Sequence, residues 1–234
     1  MNKIRFTTFL FSITIALVLS AQTSQIENYL EKAGSHVTLF NGELETNYSV
    51  MFYENLPYYR GAEYRKGTLW THQNVYPNQQ MRLDLYKDLL ISLAPETPFG
   101  IIIPSNMVKE LMLDNTRFIY LPSGNKAGLN AGYYISIYRG SELNLVCREV
   151  FILNTPSDKI KGNFSVSRKY HLISSKGTTI VKNRKSFTKL FPQYKKKIKD
   201  YSKANKLNFS KKTNESMHQL ASFIEQLLIQ NNDL

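Results

Sequence analysis

From Gln80 onward the chain alternates, with Met81, Leu83 and Leu85 on one side and Gln80, Arg82, Asp84 and Tyr86 on the other. A period of two sends successive side chains to opposite faces, which is the pattern of a half-buried strand. The surrounding stretch, Lys66 to Ser92, reads as two or three consecutive antiparallel strands. Thr68-Leu69-Trp70-Thr71 has β-type composition, and Asn74 and then Pro77-Asn78 interrupt it as turn residues do. Lys87-Asp88 supplies a tight turn into Leu89-Leu90-Ile91, a more buried strand. Arg82 and Asp84 admit two readings: a ligand-binding charge pair on an open face, or charges on a solvated face that hold register. The second is preferred, because exposed pairs are common and weak.

Further strands follow on the same grounds. Tyr48 to Tyr53 and the run His36 to Phe40 are expected strands around the turn signal Asn41-Gly42, after a short helix over Thr23 to Ala33. Phe99 to Ile103, Met107 to Leu113 and Arg117 to Leu121 come next, then a long loop from Ser123 to Gly132. Tyr133 to Arg139 and Glu142 to Val150 form a hairpin about Gly140-Ser141, which sets Tyr138 opposite Leu143 and Ile135 opposite Val146. Apolar residues on both faces put this hairpin mid-sheet or under cover on both sides. Phe164 to Ser174 pairs with Thr178 to Lys182. Eight to ten short strands at near-regular spacing predict a mainly β fold: an antiparallel meander, sandwich or open barrel.

The period changes at Ser186, a candidate N-cap. Phe187, Leu190, Phe191, Tyr194, Ile198 and Tyr201 fall at helical spacing, which predicts a main helix over about 192–204. A second helix runs from about Lys212 to Ile229 with Met217, Leu220, Ala221, Ile224, Leu227 and Leu228 as its apolar stripe. The expected organisation is a signal peptide over 1–21, a β-rich domain over 22–184, and a basic helical hairpin over 185–234 packed on it. Twelve basic residues and one acid, Asp200, lie between Val181 and Lys212. The whole chain carries +12, so this segment holds nearly all the excess. Lys195, Lys196, Lys197, Lys199 and Lys203 are the candidate contacts to an anionic surface. The alternative is a solvated face whose lysine stems cover the sheet rim. Tyr58, Tyr59, Trp70 and Arg82 are a candidate partner patch, although core packing is the preferred fate of Trp70.

Lys3 and Arg5, the apolar run Phe6 to Leu19 and Ser20-Ala21-Gln22 have the pattern of an export signal cut after Ala21, with Ser20 as the alternative. No later stretch is apolar for about 18 residues, so no transmembrane helix is expected in the mature chain. Cys147 is the one cysteine and lies in an apolar strand pattern, as a core residue would. The four histidines, His36, His72, His171 and His218, have no metal-ligand spacing, and no cofactor motif is present. No catalytic motif stands out, so no enzyme is expected; export argues against nucleic acid as partner.

The runs LFNGELETNYSV, GAEYRKGTLW, RLDLYKDLLI and LFPQYKKKIKDYSKANKLNFSKKTNE resemble an uncharacterised family of exported proteins of the Bacteroidota, over about Leu39 to Leu228. That resemblance implies a Gram-negative periplasm or outer-membrane periphery and no catalytic or binding residues. The reading is an exported, non-catalytic cell-envelope accessory or binding protein. Its partner would be an outer-membrane protein, an anionic lipid or a cell-wall glycan, through peripheral contact. A lipid or lipoprotein carrier with a half-barrel cavity is the first alternative. An envelope hydrolase, with His72 or His171 beside an acid and a serine, is the second.

Overall fold

A computed structural model describes residues 39–94, 97–155 and 161–232. The expected signal peptide, the Thr23 to Ala33 helix and His36 lie outside the described residues. Residues Met1–Gly42 form a unit of their own, whose described part ends in a turn. The second unit, Glu43–Leu234, holds everything below.

Ten strands build one antiparallel sheet: β1 (Arg65–Thr71), β2 (Val75–Asp84), β3 (Leu89–Leu93), β4 (Gly100–Ile103), β5 (Val108–Leu113), β6 (Thr116–Leu121), β7 (Gly132–Arg139), β8 (Leu143–Asn154), β9 (Asn163–Ser174) and β10 (Gly177–Val181). The order is β10-β9-β8-β7-β6-β5-β1-β2-β3-β4. Two meanders are therefore joined by one crossover, in which the chain leaves edge strand β4 and returns as β5 on the far side of β1. The fold is mainly β with helices at its C-terminal end, as the strand spacing requires.

The core is legible in the register. Leu69, Leu111, Phe118, Ile135, Cys147, Tyr170 and Val181 lie opposite one another in a single row across seven strands. All seven are buried. Three helices follow rather than two: α1 (Arg184–Leu190), α2 (Lys195–Ala204) and α3 (Thr213–Asn232). Asn183, not Ser186, caps α1, its side chain accepting from the Lys185 N–H. Pro192 opens a 3-10 turn before α2, where its fixed φ suits a helix start. α3 lies on β7 and β8, with Met217, Leu220, Ala221, Ile224 and Leu227 inward.

The structure departs from the sequence reading at four further places. Residues 48–53 are not a strand; Tyr48 and Tyr53 turn their rings onto Phe164, and a single bridge joins Tyr53 to Gly162. Pro77-Asn78 is not a turn but a bulge inside β2, where the pairing shifts between Gly67 and Leu69 and Asn78 adopts φ 58°. The β7–β8 register is offset, with Tyr138 opposite Leu145 and Ile135 opposite Cys147. The physical reason is a bulge between Ser136 and Tyr138 together with a wider turn held by α3. The Glu225 carboxylate accepts from the backbone N–H groups of Ser141, Glu142 and Leu143 at 2.6, 2.9 and 2.9 Å, and so holds a wider turn than Gly140-Ser141 alone. A Cβ at Gly140 would collide with that carboxylate, so the turn and the clamp require each other.

Arg82 and Asp84 are the fourth departure, since neither is on a solvated face; they are 8% and 2% exposed. Residues 43–64 cover this side of β2. Glu45 pairs with the β4 edge through its N–H to the Gly100 carbonyl, and Tyr59 donates from its N–H to the Leu83 carbonyl.

Candidate functional site

The basic segment is organised by what it hides. In α2, Ile198 and Ser202 lie one turn apart and face inward. The Ser202 hydroxyl donates to the Ile198 carbonyl at 2.7 Å. Tyr201 stacks flat on Phe223 of α3 at 4.0 Å, and Tyr194 donates its hydroxyl proton to the Leu227 carbonyl at 3.0 Å. With the apolar side of α2 fixed, Lys195, Lys196, Lys197, Lys199 and Lys203 are all exposed on the remainder. Among the described residues, only Lys212 of the twelve basic side chains makes an ion pair, with Glu215. The five sequence-predicted lysines are thus brought together on one rigid helix.

The charge placement works against helix stability. The N-terminus of a helix carries partial positive charge and favours acids. α1 opens on Arg184-Lys185 and α2 on Lys195-Lys196-Lys197, and neither has an acid in its first turn. Each misplaced cation costs up to about 1 kcal/mol at an exposed helix end. A surface chosen for stability alone would avoid this arrangement.

Below the joint between α2 and α3, a cleft of about 560 Å³ opens against β8 and β9. Phe151, Val166 and Tyr170 line its floor, and Lys211, Lys212 and Arg60 stand at its rim. Glu149 is buried in it and accepts from the Arg168 Nε at 2.5 Å. The bond to Glu149 holds the Arg168 guanidinium above its ordinary pKa. The Tyr170 hydroxyl donates to Asn214 at 2.6 Å and ties the start of α3 to the sheet. Behind this cleft, burial and the neighbouring Glu149 push the Cys147 thiol up to about 12. The native thiol is therefore expected to stay silent to a thiol-disulfide reagent at pH 8 and to react only on unfolding, as an absorbance assay would read.

The other sequence-predicted residues are scattered. Tyr58, Tyr59 and Arg82 are buried and Trp70 is half-buried, so the four form no exposed patch. Tyr59 packs edge-on against Phe118 in the core, whereas Trp70 lies under the Arg117 guanidinium on the outer side of the sheet. Arg82 is held between the Tyr58 and Tyr64 rings, 4.2 and 4.4 Å from their centres. It donates to both Glu45 carboxylate oxygens, to Asn47 and to the Ala62 carbonyl. Tyr58 and Tyr64 donate to Glu45 as well, and burial followed by that hydrogen bond raises both phenol pKa values, Tyr64 to about 12. This is a buried network in which Arg82, Tyr58 and Tyr64 all donate to Glu45, which fits structural work better than ligand capture.

His171 stands in a groove on the opposite side of β8 and β9, lined by Arg148, Lys169 and Ser167 and, among the described residues, by no carboxylate. Burial and the Lys169 charge lower its pKa. His72 is exposed in the β1–β2 turn. Among the described residues no three histidine, cysteine or acidic side chains gather as a metal would need, and no helix is long and apolar enough to cross a membrane. Comparison of the chain with protein-family models, with curated proteins and with solved structures returns no match.

Proposed function

We propose that this chain is an exported, non-catalytic binding protein of the cell envelope that docks on an anionic surface through the lysine face of α2. The supporting observation is the cluster of five exposed lysines without acid partners on a helix whose other side is held against α3. Attraction to an anionic surface amounts to about 1 kcal/mol per lysine close to it. Five such residues outweigh the helix-end penalty they incur. Membership of the exported Bacteroidota group and residence in the periplasm or at the outer-membrane periphery belong to the same proposal.

The test separates stability from binding. Lys195→Glu with Lys196→Glu places acids at the start of α2, where the dipole favours them, and is expected to raise stability by about 0.5–2 kcal/mol. The same variant is expected to bind vesicles containing phosphatidylglycerol about tenfold or more weakly, measured by co-sedimentation at low salt. Unchanged vesicle binding in that variant would overturn the proposal. Lost stability would contradict the account of the helix ends.

A further inference from the structure

The same molecule exposes a second feature, in different residues. Val50, Met51 and Phe52 are 67%, 71% and 64% exposed and sit side by side at the apex of one turn. Single exposed apolar residues are ordinary, but a contiguous group marks a contact site. This apex is not a loose loop. The Phe52 N–H donates to the Ser49 carbonyl at 3.0 Å, and Phe52 and Glu54 exchange backbone hydrogen bonds with Gly162 at 3.0 and 2.9 Å. Asn55 then mimics a strand partner, donating to and accepting from the Phe164 backbone at 2.8 and 2.7 Å. Beneath the turn the rings of Tyr48, Tyr53 and Tyr86 surround Phe164 at 5.2–5.7 Å. The fold therefore holds three large apolar side chains in water on a built platform.

The surroundings say what covers them. Lys161 donates to the Val50 carbonyl at 2.9 Å, and the Lys87 ammonium lies 4.8 Å from the centre of the Tyr48 ring. Glu54 is the acid that follows the turn. Three apolar side chains at the tip, tyrosines beneath them, and two ammonium groups at the backbone of the turn and over the Tyr48 ring match the layers of a bilayer taken from its interior outward: acyl chains, interface, phosphates. We infer that Val50-Met51-Phe52 inserts into the facing leaflet of an anionic lipid bilayer, with Lys87 and Lys161 at headgroup level. This deepens the binding proposal above by naming the surface as a membrane, and it rests on other residues than α2.

The experiment uses vesicle flotation of the full chain, with mixed phosphatidylglycerol and phosphatidylcholine, at low and high salt. Apolar insertion survives screening whereas lysine attraction does not. The parent is expected to keep a salt-resistant bound fraction, and the variant V50S/M51S/F52S to lose it by roughly tenfold or more. These side chains are exposed, so the variant should melt at the parent's temperature. Phe52→Trp is expected to add a component to the emission that shifts to the blue when vesicles are added. A serine variant that floats like the parent at high salt, or an emission from the Phe52→Trp variant that does not move, would overturn the inference. Self-association abolished by the serine variant would also overturn it, because the turn would then contact a second copy. If the Lys195→Glu, Lys196→Glu variant binds normally while the serine variant does not, the α2 proposal fails and the insertion stands.

Discussion

Arg82→Met is expected to destabilise the protein by about 3–5 kcal/mol, read from urea midpoints at neutral pH, because it leaves the Glu45 charge buried without its counterion. The Glu45 and Arg82 side chains are 6% and 9% exposed, so water does not reach them to compensate. The effect extends beyond one pair. Glu45 ties residues 43–64 to β2 through Arg82, Tyr58 and Tyr64, and a Cβ at Gly100 of β4 would collide with the Tyr64 hydroxyl. Glu45→Met combined with Arg82→Met is expected to recover part of the loss, since two apolar side chains leave no isolated charge. A double variant as unstable as the sum of its singles would show that the pair does not couple.

Glu225→Gln is the second large effect, about 2–4 kcal/mol, because the carboxylate receives three backbone N–H groups and the Ser141 hydroxyl. Burial pushes the Glu225 pKa upward, but these hydrogen bonds outweigh it and hold it below the ordinary value. The sign of the pH effect follows. A depressed folded-state pKa stabilises the protein above the unfolded carboxylate pKa, and the gain is lost as pH falls through the folded one. The parent is expected to lose stability between about pH 5 and pH 3 that the Gln variant no longer has to lose. The comparison is made by denaturant unfolding at the two pH values, and parallel losses would contradict the assignment.

These two residues also show where the sequence can be read and where it cannot. Alternation over Met81, Leu83 and Leu85 places β2, and helical spacing places Ile198 and Met217 on buried faces, because those signals are local. The β7–β8 register is not legible in the hairpin itself, because one of its determinants, Glu225, lies 84 residues after Ser141 and the other is a bulge between Ser136 and Tyr138. The burial of Arg82 is hidden for a different reason: periodicity gives a face and not what covers it. The cover is Glu45, Tyr58 and Tyr64, brought by an irregular segment. The lysine cluster is legible from composition, but the absence of acids at the starts of α1 and α2 takes on meaning only once the helix ends are placed. The exposed turn at Val50-Met51-Phe52 leaves a faint signal: three apolar residues in a row where a strand with one wet face should alternate.

The central claim is that position, not total charge, directs binding. It is tested most directly by two variants of equal net charge. One replaces Lys195, Lys196, Lys197, Lys199 and Lys203 by glutamine; the other replaces the exposed Lys66, Lys109, Lys126, Lys169 and Lys176. Affinity for phosphatidylglycerol vesicles is measured for both across a salt series. The account predicts that the α2 variant loses most of the salt-dependent part of its affinity while the second variant stays close to the parent. Equal losses in the two would mean that net charge alone drives the attraction, and would contradict it.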